Sequence, residues 1–147
     1  FVTPIELIQR VADGMAKRGF GRIVNITSLS VYMPIEGLDL SSGARAGLTA
    51  FLAGVTPQFA GRNVTINNLL PGKMDTKRLQ GGLVMGAKAR GVATEDEADC
   101  QKSEIPAGRF GTPEEFGQTC AFLCSEHGGY ITGQNLLLDG GLHVRAF

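Results

Sequence analysis

The sequence predicts an α/β protein built on a parallel sheet. Two observations carry this expectation. Short, β-rich apolar runs bounded by turn residues lie near 22–27, 64–70 and 134–139. Between them, apolar residues recur at three- and four-residue steps, the period of a helix with one buried stripe. Strand, helix and strand within about 50 residues form a βαβ unit, whose crossover is expected to be right-handed.

The first element is a helix over 3–18, with Ile5, Ile8, Val11, Ala12 and Met15 on one face and Gly19 as its stop. "RIVNIT", 22–27, follows as a parallel, largely buried strand. The next helix runs from about 42 to 59. Its small residues Ala44, Ala46, Gly47, Ala50, Ala53 and Gly54 permit close approach to a helix or a partner subunit, and Pro57 must kink or end it. "NVTINNLL" is the second strand, closed by Pro71 and Gly72. Residues 73–107 read as a lid or substrate-binding insertion: a glycine-interrupted run, then a short helix capped by Thr94 and ended before Pro106. The next helix opens with Thr112 as N-cap, Pro113 at the first position and Glu115 closing a capping box. Its apolar face is Phe116, Cys120 and Leu123, with Ala121 and Cys124 beside it, so both cysteines are expected in core packing. "QNLLLDGG" is the third strand. The chain begins at Phe1 with a helical first turn already under way, so 1–147 is read as a single partial domain.

Composition narrows the function classes. Fourteen basic and fourteen acidic side chains give a formal charge of zero, with no general pull toward nucleic acid or an anionic membrane. A small-molecule partner is the expectation. Three cysteines, odd in number and without any C-x-x-C pair, favour reduced thiols over a disulfide framework or a zinc site, and no metal is expected. No apolar run reaches the roughly 18 residues that span a bilayer, and no signal-peptide pattern opens the chain; the reading is a cytoplasmic protein.

Four segments in order, "GRIVNITS", "INNLLPGKMDT", "GRFGTPEEF" and "YITGQNLLLDGG", resemble the C-terminal half of a short-chain dehydrogenase/reductase, similar to the 3-oxoacyl-acyl carrier protein reductases. The likeness covers nearly the whole chain. It implies a doubly wound Rossmann sheet, of which this chain supplies the last three strands. The glycine-rich pyrophosphate turn of that fold would belong to a preceding half, and the family's catalytic asparagine would fall just before Phe1. The implied activity is NAD- or NADP-dependent reduction of a carbonyl or oxidation of an alcohol, and the resemblance also suggests a homo-oligomer through helix faces such as Ala46, Ala50 and Ala53.

The resemblance assigns roles residue by residue. Ser28, at a strand end where parallel sheets place ligands, would hydrogen-bond the substrate carbonyl; without the resemblance it reads as a serine satisfying the next turn. Thirteen residues later stands Ser41, where the family has a tyrosine, and one turn on stands Arg45 in place of a lysine. A serine hydroxyl is a far weaker acid than a phenol of pKa about 10, so Ser41 is a poor proton donor. Arg45 keeps donors and charge for the nicotinamide ribose, but its pKa of roughly 12.5 or more bars it from relaying protons. Tyr32 is the substitute donor, or else it only lines the pocket or packs under Pro34; an ordered water is the other proton source. Pro71, Gly72, Met74 and Thr76 match the segment that runs along the nicotinamide, and Asn67 would tie its strand to neighbouring backbone. Leu83, Val84 and Met85 form an apolar substrate wall or a loop collapsed onto the core. The alternative function is a catalytically degenerate relative acting as a cofactor-binding or subunit-interaction module. On its own the chain would also expose a sheet edge on "RIVNIT".

Overall fold

The computed structural model describes residues 1–144. In order, its main elements are α1 (Val2–Arg18), β1 (Gly21–Ile26), α2 (Asp39–Val55), α3 (Pro57–Ala60), β2 (Val64–Pro71), α4 (Lys77–Arg90), α5 (Thr94–Ser103), α6 (Pro113–Cys124) and β3 (Asn135–Leu138), with 3-10 turns at Leu29–Val31 and Glu126–Gly128. The sheet order is β1-β2-β3. β1 and β2 are parallel, in register from Gly21 opposite Val64 to Ile26 opposite Leu69. β3 runs the same way beside β2, because Gly133 N, Asn68 N and Gly72 N bond Ile66 O, Gln134 O and Leu138 O in turn. The α/β fold with a parallel sheet is therefore as expected.

Tertiary contacts divide into two compact units, one of Phe1–Leu70 with Gln118–Leu137, the other of Pro71–Gly117 with the segment from Leu138 onward. In the first unit Ile8 and Ala12 of α1, Leu48 and Leu52 of α2 and Ile66 of β2 make the core, with Ile5, Ile23, Phe51, Val55 and Phe59 packed against it. Of the stripe expected on α1, Ile8 and Ala12 are buried and Ile5 packs on the core, while Val11 is 41% exposed; on α2 the core is made by Leu48 and Leu52 rather than by the small residues. In the second unit Leu83, Ile105 and Phe110 form a smaller core with Leu79, Ala98 and Leu142.

Local chemistry sets the element ends. Gly19 adopts the left-handed conformation, φ 71°, and caps α1 by bonding the carbonyls of Met15 and Ala16. Asn63, at φ 56°, turns the chain into β2 and donates its side-chain amide to Gly19 O at 2.9 Å. Arg22 fixes the other side of that turn, donating to Asn63 O at 2.9 Å and to Ser125 O at 3.0 Å. α2 stops at Val55, and Pro57 opens a separate short helix α3, so the proline ends the helix rather than kinking it.

Several expectations need correction. β2 is buried along Val64–Leu70, but β1 is only half-buried and Ile26 is 60% exposed, because β1 has a strand on one side only. The edge expected on "RIVNIT" is thus present among the described residues. The glycine-interrupted run within 73–107 is a regular helix, α4, since its glycines fall where the residues around Leu83 and Ala87 still make a buried stripe. Ala93 is the N-cap of α5 and Thr94 its first helical residue. On α6, Leu123 is fully buried, whereas Cys124 is exposed and Cys120 half-buried, so the cysteines flank the core instead of filling it. The capping box holds: Thr112 N donates to Glu115 Oε2 at 2.8 Å and Glu115 N to Thr112 Oγ1 at 3.2 Å.

Candidate active site

The first unit carries the residues expected to do chemistry. Ser28 follows β1 in extended conformation and caps the Leu29–Val31 turn, its Oγ accepting from Ser30 N at 3.1 Å. Both readings of Ser28 therefore fit one geometry: the oxygen satisfies the turn, and the hydroxyl hydrogen is left to donate elsewhere. Tyr32 closes the same turn, and its hydroxyl lies 3.5 Å from Asn135 O, at the long limit of a hydrogen bond.

Ser41 and Arg45 lie one turn apart on α2, where side chains four apart share a face. Arg45 Nε donates to Ser41 Oγ at 3.1 Å, and Nη1 donates to Thr27 O at 2.7 Å. The guanidinium is thereby tied to the main chain immediately before Ser28. This brings Ser41, Arg45 and the end of β1 together. Arg45 also cannot be wholly free for a ligand, since two of its five N–H groups are engaged; three remain. Ser41 Oγ, accepting from a cation, keeps its own hydrogen for donation, yet the hydroxyl stays an alcohol with an alcohol's acidity.

Behind this cluster the sheet is unexpectedly polar. Asn25 of β1 stands opposite Asn68 of β2, and Asn68 Nδ2 donates to Asn135 Oδ1 of β3 at 2.7 Å. Asn25 Nδ2, Thr27 Oγ1, Ser30 Oγ, Ser42 Oγ and Asn68 Oδ1 are buried side-chain atoms without a protein hydrogen-bond partner. Buried polar atoms of this kind cost free energy unless water or a ligand meets them. Sequence reasoning passed over Asn68 and Asn135; the available signal was an amide at an inward-facing strand position. Asn67 behaves as expected, donating to Ile131 O at 2.7 Å and accepting from Gln134 N at 3.0 Å.

The second unit carries the residues expected along a nicotinamide. Pro71 ends β2, and Gly72 N donates to Leu138 O at 2.8 Å. A Cβ on Gly72 would stand 2.6 Å from Asp139 Cα, so only glycine fits this approach. Met74 forms a parallel bridge with Gly111. Thr76 caps α4, its Oγ1 accepting from Leu79 N at 3.4 Å and its hydroxyl hydrogen left to donate. Gly72, Met74 and Thr76 line one cavity of about 360 Å3 together with Lys73, Arg78, Leu79, Gly82, Leu83 and Gln101. Of the expected apolar wall, Leu83 borders this cavity and belongs to the core, while Val84 and Met85 are exposed.

Part of the charge in the second unit is paired. Arg109 grips Glu115 at 2.6 Å; its guanidinium, with the Thr112 N–H, brings the Glu115 carboxyl down to about 2. Gln101 and then Arg90 hold the buried Glu97 carboxyl below its ordinary range. His127 and His143 sit in turns whose backbone N–H groups bond Ser125 and Asp139. Among the described residues no cluster of three or more His, Cys, Asp or Glu could hold a metal ion. No helix there is long and apolar enough to cross a membrane.

A family model described as Enoyl-(Acyl carrier protein) reductase matches residues 2–143. Acetoacetyl-CoA reductase of Cupriavidus necator is 37% identical over 139 residues, which cover 95% of this chain and 52% of that protein. The 3-oxoacyl-[acyl-carrier-protein] reductase FabG of Vibrio harveyi is 31% identical over 144 residues, 97% of this chain and 54% of the relative. The crystal structure of YwfH, an NADPH-dependent reductase involved in bacilysin biosynthesis, aligns with a TM-score of 0.88 at 32% identity, over 97% of this chain and 54% of that one. The chain spans about half the length of the curated relatives it matches.

Proposed function

The chain belongs to the short-chain dehydrogenase/reductase family, and from that premise we propose that it is an NAD(P)-dependent oxidoreductase that reduces a carbonyl substrate, of 3-oxoacyl type, or oxidises the corresponding alcohol. The observation that carries the proposal is the Arg45 guanidinium held by Ser41 and by Thr27 O at the end of β1. A fixed cation with N–H groups to spare suits ribose hydroxyls. Ser28, with its hydrogen free, polarises the carbonyl as hydride reaches carbon. Ser41 orients Arg45 and leaves the proton to another group. That group is Tyr32 or an ordered water.

Pro71, Gly72, Met74 and Thr76 are proposed to contact the nicotinamide: the glycine by close backbone approach, the threonine by donating to the carboxamide oxygen. The cofactor is NAD or NADP. Relatives whose names mention a 3-oxoacyl-[acyl-carrier-protein] and NADPH support the reaction class. We place the protein in the cytoplasm and as a homo-oligomer, the latter supported by the exposure of Ala46, Ala50 and Ala53 on α2.

The test is to titrate NADH and NADPH and then to follow turnover of simple ketones and 3-oxoacyl thioesters. Cofactor binding with no turnover of any of these would refute the enzyme and leave the cofactor-binding module. Loss of turnover in Tyr32→Phe with retention in Ser41→Ala identifies Tyr32 as donor; retention in both assigns the proton to water.

A further inference from the structure

Arg78 lines the 360 Å3 cavity of the second unit, next to Lys73, Met74, Leu79 and Leu83. No carboxylate lines that cavity. Lys73 is already neutralised, its ammonium 2.8 Å from Glu104. Arg90, Lys102 and Arg109 likewise have acidic partners, while among the described residues no carboxylate lies within ion-pair distance of Arg78. Unpaired cations are common on open surface, and Lys77, the preceding residue, is one of these: it does not line the cavity. Arg78 differs because it lines an open cleft of small-molecule size whose lining also includes Met74, Leu79 and Leu83. A guanidinium is a planar fork that matches an oxyanion on two points.

We infer that Arg78 is a specificity residue that recognises one anionic group, a carboxylate or a phosphate, on a substrate whose apolar part packs on Met74, Leu79 and Leu83. A ligand that is purely apolar would leave the cation bordering the cavity without a counter-charge. One that is purely ionic would leave the leucine side uncovered. An amphiphilic anion satisfies both. The word substrate rests on the oxidoreductase reading above, but the charge preference is measurable without turnover.

The probes are hexanoate, hexyl phosphate and 2-hexanone, titrated calorimetrically into the wild-type protein, Arg78→Met and Lys77→Met. Both anions, or one of them, should bind the wild type, and the tighter one names the group. Arg78→Met should weaken that anion about tenfold, the scale of one charge-assisted contact, and leave 2-hexanone unchanged. Lys77→Met, which removes the same charge from the neighbouring position, should stay within about twofold of wild type. Equal losses for anion and ketone, equal losses in the two variants, or no anion binding to the wild type would each overturn the assignment. So would a fall in NADPH affinity in Arg78→Met with hexanoate affinity intact, which would give the residue to the cofactor. Failure of the oxidoreductase reading looks different: no carbonyl is turned over, whatever the anion preference.

Discussion

Replacing Arg45 by methionine should destabilise the first unit by about 2–3 kcal/mol. The guanidinium contributes a charge-assisted bond to Thr27 O at 2.7 Å, and Thr27 is only 4% exposed, so the carbonyl is poorly placed to find water instead. Bonds to a charged group are worth roughly 1.5–3 kcal/mol. The bond to Ser41 Oγ, one helical turn away at 3.1 Å, adds about 0.3–0.5 kcal/mol. Methionine keeps much of the apolar stem and loses both donors. Urea denaturation read by circular dichroism should show the midpoint fall with the slope unchanged. Arg45→Lys should recover less than half of the loss, because an ammonium is a single point that cannot serve both acceptors. A double-mutant cycle with Ser41→Ala should give a coupling of about 0.5 kcal/mol or less. A loss below about 0.5 kcal/mol in Arg45→Met would refute the reasoning, since the residue would then be a surface cation with an incidental contact.

Three further outcomes are expected. Gly72→Ala should cost about 1–3 kcal/mol in denaturant unfolding, because its new methyl must displace the Asp139 backbone 2.6 Å away. Leu52→Ala, at a position 2% exposed, should cost about 2–5 kcal/mol, whereas Leu40→Ala, at 93% exposure, should stay within about 0.5 kcal/mol. Glu115 titrates at about 2 when folded, below its unfolded value of about 4.3, so its contribution to stability is complete above the unfolded value and lost as pH falls toward 2. Acid unfolding of Glu115→Gln should show a shallower fall across that window, and an unchanged slope there would contradict the pairing with Arg109.

How much of this was legible in the sequence depended on whether a signal was local. The stripe Ile8, Ala12 on α1, the stop at Gly19 and the capping box at Thr112 and Glu115 are short-range chemistry, and the structure has all three. β1 misled because its "RIVNIT" composition describes a strand buried on both faces, while burial is decided by neighbours that composition does not name. Cys124 misled in the same way: helical periodicity places it near Leu123, but only packing decides which of the two is covered. At the candidate site, the positions of Ser28, Ser41 and Arg45 were implied by the resemblance, and only the one-turn spacing of Ser41 and Arg45 follows from helix geometry. The Arg45 bond to Thr27 O was not, because a main-chain acceptor leaves no mark in the sequence. Arg78 was equally invisible, as its interest lies in lining a cavity that holds no carboxylate, and a cavity's lining leaves no mark in the sequence.

The central position of β2 has a kinetic side. Its partners on either flank come from distant sequence: the Arg22–Asn63 bond at its entrance joins residues 41 apart, and the Gln134–Asn67 bond on its other side joins residues 67 apart. α1, α2 and α4 can form from nearest neighbours within microseconds, but no strand here can pair before loops of that length close. The strand that is most protected at equilibrium is therefore the last to be secured in time. Refolding should be paced by chain closure around "NVTINNLL", and substitutions that strengthen the helices alone should leave the refolding rate where it is.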